Sequence, residues 1–419
     1  VASPLSVLTR YRDFRRLFLA ELVMFGGDWF VMIPLLVLLP RLTGSGLYGA
    51  LVLAADTGVL ALLLPYAGTV ADRLDRRKIM ITSNLAGLAA VGLLLLVRSP
   101  ATAWIAPLAV GALAVAKAFY SPAASAALPN LVEPADLTAA NAVASSAWGT
   151  MTVVGASLGG VLAALFSPYT CFLVTAGAMV VATALVWGLR RPLQGERTAG
   201  GTAPAGRALV ESLRWIGRHP RVAALVTVKS AVGMGNGVLV VFPLLALELG
   251  AGRLGTGLLF AARGLGALVG PLLLRGVLDR PARLLPGLAL SMATYGLAYL
   301  GVSLAPWFPL VLLLIVVAHM AGGGNWAMSN AALQAVVPDR LRGRVFSADM
   351  MLATLAVSAS QLVVGLFVDG VPWRVLAAAC GATTLVYALV WRLVTARTVG
   401  AAGSAPVAGE REDRVGAPR

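Results

Sequence analysis

Eight ionisable side chains stand inside long apolar runs: Glu21, Asp28, Asp56, Lys117, Lys229, Arg263, His319 and Asp349. A charge in hydrocarbon costs at least about 2.5–3.5 kcal/mol on insertion scales, so each needs a partner or a watery cavity. Asp28 lies about 11 residues from Leu17, or roughly 16 Å along a helix, and Lys117 is about as far from Leu128. Equal depth predicts an Asp28–Lys117 ion pair, direct or bridged by water, near the membrane midplane. Protonating Asp28 would break the attraction, free Lys117 and change the favoured conformation. The alternative is a static buried pair that orients two helices.

The other groups divide by depth and type. Glu21 falls seven residues before Asp28, on the same helical face, at a level that suits a proton role or an interfacial pair. Asp349 is similarly shallow, and is expected to pair with Lys229 or to cap a gate. Asp56 lies in the outer half of its run, as part of an outer gate or hydrated in a vestibule. Arg263 is a fixed charge, suited to bind substrate or a carboxylate. His319 titrates near neutrality when unperturbed, or serves as a packing residue. Tyr120, Asn236, Asn325 and Trp326 line a pocket or make interhelical hydrogen bonds.

The elements that must position these groups follow from composition. The chain has 419 residues, 59% hydrophobic and 12% charged, more apolar surface than a soluble protein of this size can hide. The runs are helix-length rather than short alternating strands, which excludes a barrel. Twelve spans are expected, at 17–39, 48–71, 79–97, 102–127, 139–165, 169–189, 222–247, 254–275, 284–304, 308–335, 345–368 and 372–395. The net charge of +15 does not indicate nucleic acid, because the basic residues concentrate in every second loop. The opposite side holds only Arg41, Arg98, Arg253 and Arg374. The positive-inside rule then places both termini in the cytoplasm of a bacterial plasma membrane protein. Arg10 to Arg16 precede a run too long for a cleaved signal peptide. Cys171 and Cys380 sit in separate spans as small apolar fillers. No phosphate loop, Ser/His/Asp set or metal cluster appears, so neither an enzyme nor a cofactor is expected, and an ion gradient is the energy source.

Residues 190–220 interrupt the apolar pattern. Within them Arg207–Pro220 reads as an amphipathic surface helix, with Leu209, Leu213 and Ile216 on one face. The chain divides into a bundle at 1–189, a linker at 190–220, a second bundle at 221–395 and a disordered tail at 396–419. Ser125-Ala-Ala-Leu128 before Pro134-Ala-Asp136-Leu137 matches Asn330-Ala-Ala-Leu333 before Pro338-Asp339-Arg340-Leu341. The two bundles are therefore parallel repeats.

The most specific motif is Gly68-Thr-Val-Ala-Asp72-Arg73-Leu-Asp75-Arg76-Arg77-Lys78, six charges in seven residues between two spans. It resembles the Gly-x-x-x-Asp-Arg-x-Gly-Arg-Arg loop of the major facilitator superfamily, with Asp75 in place of the inner glycine. Gly27-Asp28-Trp29, Phe119-Tyr120-Ser-Pro122, Ala262-Arg263-Gly264 and Arg342-Gly343-Arg344-Val345 resemble the macrolide-efflux and siderophore-exporter branch of its drug:proton antiporters. The resemblance implies an all-α polytopic membrane protein, with twelve transmembrane helices in two pseudo-symmetric six-helix bundles. It also implies that the fifth and eighth spans face each other across the domain boundary. Both have small-xxx-small spacing, at Gly155/Gly159 and Gly266/Gly270, suited to a sliding seam or to ordinary packing. Asp72 is expected to meet the N-terminal end of the eleventh span near Arg342 and Arg344, closing a cytoplasmic latch. Arg73, Arg76 and Arg77 are expected to pair with acids or lipid phosphates.

The sequence thus indicates a monomeric secondary transporter. It would exchange protons for a small amphipathic substrate by alternating access, in contact with membrane lipids. A lysophospholipid flippase on the same fold, or a non-transporting membrane sensor or scaffold, are the alternatives.

Overall fold

The computed structural model describes residues 4–194, 205–273 and 281–401, with some side chains excepted, Asp72 among them. The described residues form helices and turns, with no strand. In chain order the α-helices are α1 Pro4–Arg10, α2 Arg12–Thr43, α3 Leu47–Arg73, α4 Arg76–Leu94, α5 Ile105–Ala127, α6 Leu137–Leu165, α7 Pro168–Trp187 and α8 Ala205–Arg218. There follow α9 Pro220–Gly235, α10 Phe242–Glu248, α11 Gly252–Leu273, α12 Pro281–Leu304, α13 Phe308–Val336, α14 Asp339–Phe367 and α15 Trp373–Ala401. Ten of the described helical segments are long and apolar enough to cross a membrane. Helices α4 and α6 fill the two remaining expected spans. The last helix runs past the expected boundary at 395, and the rest of the expected tail lies outside the described residues.

The duplication read in the sequence is visible in the packing. In the first half α2 packs on α6 and α7, α5 packs on α3 and α4, and α4 packs on α7. In the second half α9 packs on α14 and α15, α13 packs on α11 and α12, and α12 packs on α15. Each pairing in one half has its counterpart six spans later. The halves join chiefly through α3 with α14 and α6 with α11, with a smaller contact of α2 on α11.

The seventh span is broken. Helix α9 ends at Gly235, a 3-10 segment covers Asn236–Val241, and α10 resumes the span. Crowding explains the break. A Cβ on Gly235 would meet Thr384 Oγ1 at 2.6 Å, and one on Gly237 would meet the Ser360 carbonyl at 2.6 Å. At these two positions the chain can come this close to α14 and α15 because it has no side chain.

The junction between the halves differs at its two ends. On the side away from the termini, Gly46 N–H donates to Asp369 at 2.6 Å, and Ser45 hydroxyl also bonds Asp369. Deeper, Ser358 donates to the Ala54 carbonyl at 2.9 Å and Thr57 to Gln361 at 3.0 Å. Trp29 and Phe260 rings from opposite halves lie 5.5 Å apart. One continuous apolar core covers the first half and this end of the second, including Phe242, Phe260 and Val364. On the termini side the second half has its own separate core, built around Leu225, Met292 and Leu333. There a Cβ on Gly68 or Gly343 would meet nothing within 4 Å. The described side-chain bonds between the halves lie at the far end, and at the termini end each half has its own core.

Candidate functional site

Lys117, at mid-length in α5, reaches two carboxylates. Its Nζ donates to Asp28 Oδ2 on α2 at 3.0 Å and to Asp56 Oδ1 on α3 at 2.5 Å. The Asp28–Lys117 pair is the one expected from depth. Asp56 is a correction: it is a second partner for Lys117 rather than a residue of the outer gate. It stands ten residues into the 27-residue α3, close to mid-membrane, where only the crossing of α3 over α5 shows its partner. The carboxylate side chains of Asp28 and Asp56 keep 29% and 23% exposure, and Lys117 keeps 13%. The three side chains are therefore part-exposed and not locked in the core. With both carboxylates ionised it carries one net negative charge.

The second half contributes Arg263 on α11. Its guanidinium lies 6.0 Å from the Trp29 ring, beside Asp28 in sequence but across the junction in space. Among the described residues it has no ion pair and no hydrogen-bond acceptor, and its Nε is fully buried.

Other expected site residues are placed elsewhere. Lys229 and Asp349 do pair, with both side chains fully buried, and Lys229 also donates to Asn330 at 2.7 Å and lies 5.2 Å from the Trp326 ring. This pair is sealed inside the second half. His319 is 5% exposed and shares a 2.8 Å hydrogen bond with Tyr299, so it packs α12 against α13 and lines no pocket. Asn325 is fully buried, donating to Ser291 Oγ at 2.8 Å across the same two helices. Asn236 is buried and donates to the Val232 carbonyl one turn back, at 2.7 Å. Tyr120 is 2% exposed, its hydroxyl without a hydrogen-bond partner. Glu21 itself makes no hydrogen bond or ion pair among the described residues.

Two further expectations are corrected. Gly155 and Gly159 do not form the seam; their Cβ positions run into Trp29 of the same half, at 2.9 Å from ring and carbonyl atoms. Gly266 and Gly270 likewise press on the Val316 and Met320 carbonyls of α13. A spacing of four puts each pair on one helical face, and each half uses that face for its own packing. The contact between α6 and α11 is made by Gly160 against Gly257, Cα against Cα.

The second correction concerns the motif loop. Arg76 donates to the carbonyls of Ala126 at 2.6 Å and Leu193 at 3.0 Å, and Arg77 donates to the Arg191 carbonyl at 3.3 Å. These arginines tie the loop to the ends of α5 and α7 rather than pairing with acids. Asp75 caps α4 by accepting from Arg77 and Lys78 N–H at 2.9 and 3.2 Å, a role the family's inner glycine cannot fill. The Asp72 side chain lies outside the described residues. Arg73 sits exposed at the end of α3 and Arg342 half-buried in the first turn of α14, while Arg344 faces Glu211 of α8 at 3.8 Å. Helix α8 touches α3, α9 and α14, and so spans the termini end of the junction. Its Leu209, Leu213 and Ile216 are packed inward, as its amphipathic pattern requires.

The acid missed in the sequence is Asp369. It follows α14 and meets the N-terminus of α3, the far-side counterpart of the arrangement expected for Asp72 and α14. The inverse pairing of the two helices is the signal that would have found it.

The family model described as transmembrane secretion effector, MFS_3, matches residues 2–414. The chain belongs to the major facilitator superfamily. Among its relatives, the multidrug efflux pump Tap of Mycolicibacterium fortuitum is 28% identical over 359 residues, covering 82% of this chain and 84% of Tap. The enterobactin exporter EntS of Salmonella typhi is 26% identical over 350 residues, covering 81% and 82%. Among solved structures, a bacterial homolog of the human lysosomal transporter Spinster superposes with a TM-score of 0.72 at 16% identity, covering 93% of this chain and 97% of that one. This superfamily member is a multi-pass bacterial inner-membrane transporter, and among the described residues no cluster suits a metal.

Proposed function

We propose that this transporter exports small amphipathic molecules in exchange for protons, in the manner of a drug or siderophore exporter. The observation that carries the reading is the shared Lys117 ammonium. Two part-exposed carboxylates on different helices compete for one cation. Taking up one proton neutralises the cluster and leaves Lys117 with a single charged partner, so α2, α3 and α5 lose part of their mutual attraction. A cationic group on a substrate satisfies the same deficit, so proton and substrate compete. That competition is what exchange requires.

With both termini in the cytoplasm, as the arginine distribution implies, the described conformation is closed to the outside and open inward. The cytoplasmic latch at Asp72 and the division into two moving bundles joined by the 190–220 linker belong to the same proposal. The relatives Tap and EntS support export as the direction.

The test is a flux assay in proteoliposomes holding the inside-out protein, with a panel of amphipathic drugs and an imposed acid interior. At least one compound is expected to accumulate in the acid lumen, and an ionophore that collapses the gradient is expected to stop it. Uptake that ignores the gradient, or equals that of protein-free vesicles, rejects proton exchange.

A further inference from the structure

An uncompensated guanidinium near mid-membrane is expensive, and a structure that keeps one has a use for it. Arg263 is such a group. Among the described residues no carboxylate lies within 4 Å of it and none of its N–H groups is accepted. Its Nε is buried without a partner. The nearby polar groups are two phenols and an imidazole: Tyr295, Tyr299 and His319 lie within its electrostatic reach, and the Tyr295 hydroxyl is buried with no geometrically formed hydrogen bond. Trp29 covers one face at 6.0 Å. Planar donors, a spare hydroxyl and an aromatic wall suit an oxyanion, since a guanidinium forks onto carboxylate or phosphate through two parallel hydrogen bonds.

The first half carries the complementary charge. Asp28 and Asp56 outnumber Lys117 by one, on the first half, while Arg263 stands alone on the second. The two poles belong to the two halves that alternating access moves against each other.

We infer that Arg263 anchors an oxyanion of the substrate, whose cationic end faces Asp28 and Asp56, so that the transported molecule is a dipolar amphipath. This rests on the export reading above. It adds the substrate's charge pattern and the residue that reads its anionic end.

The test uses binding, which does not depend on flux. Purified protein in nanodiscs is titrated with Nε-dansyl-lysine, which carries a carboxylate and an ammonium, and with its carboxamide, which keeps the ammonium alone. Wild type is expected to bind the acid at least ~10-fold more tightly than the amide, the scale of one charge-assisted contact. Arg263→Gln is expected to erase the preference while still binding the amide. Arg263→Lys, which keeps charge but not the fork, should restore part of it. Because the ratio is read within each variant, a partly unfolded fraction lowers both affinities and leaves the ratio intact. Equal binding of acid and amide by wild type, or an unchanged ratio in Arg263→Gln, overturns the inference. Lysophosphatidylcholine as competitor separates the sources of the oxyanion: displacement assigns a lipid phosphate, and its failure a soluble carboxylate. If acid selectivity holds while no gradient-driven flux is found, the export reading fails and the anion site stands.

Discussion

Lys117→Met is expected to abolish gradient-driven transport and to lower the melting temperature further than Asp28→Asn or Asp56→Asn does. Lysine removal leaves two carboxylates facing each other with no cation between them, at 3.0 and 2.5 Å from the lost ammonium. Breaking a fully buried pair costs about 3–5 kcal/mol. The 29% and 23% exposure of the two carboxylates reduces that here, because they are not fully buried. Either asparagine variant instead keeps one intact ion pair and a neutral hydrogen-bonding neighbour, so it should fold nearly as well as wild type. Thermal unfolding in detergent gives the ranking. Equal melting temperatures for Lys117→Met and Asp28→Asn would show that Lys117 does not hold the three helices together.

The second large effect is expected at the seam. A Cβ built on Gly160 falls 2.5 Å from the Gly257 Cα, and backbone cannot yield as a flexible side chain does. Gly160→Val therefore opposes the far-side-closed state and leaves the opposite state untouched. Overpacking costs about 1–3 kcal/mol, which placed on one of two states shifts their ratio ~5–150-fold. Spin labels at Arg98 and Trp307, on the far ends of the two halves, should move apart in the variant. The control replaces Gly177, whose Cβ would meet nothing within 4 Å, and should leave both distance and flux unchanged. An unchanged label distance in Gly160→Val would mean that α6 and α11 do not set the seal.

These two sites also show what a sequence can reveal here. Helix length and loop charge place twelve spans, and counting residues from a helix end brings Asp28 and Lys117 to one level. Counting does not say which neighbour crosses at that level, so for Asp56 a gate and a hydrated vestibule stay open until α3 is seen to carry it onto α5. The glycine spacing correctly marks α6 and α11 as close-packed. It cannot tell which partner uses the glycine face, and the seam falls one residue away, at Gly160. For His319 and Asn325 the polarity alone leaves a pocket and an interhelical hydrogen bond equally open. Their partners, Tyr299 and Ser291, sit on a neighbouring helix and satisfy them inside the second half. Asp75 looked like a departure from the motif until its capping of α4 gave it a local role.

The central claim is that the Lys117 cluster couples protons to transport, and Asp28→Asn tests it most directly. The variant keeps the Lys117–Asp56 pair, so the substrate path and the rocking motion should survive while one proton site is removed. In proteoliposomes it is expected to keep a weakened substrate exchange at equal pH across the membrane, since Asp56 still faces the substrate's cation, and to lose accumulation driven by a pH gradient. Gradient-driven accumulation by Asp28→Asn at the wild-type rate would contradict the account.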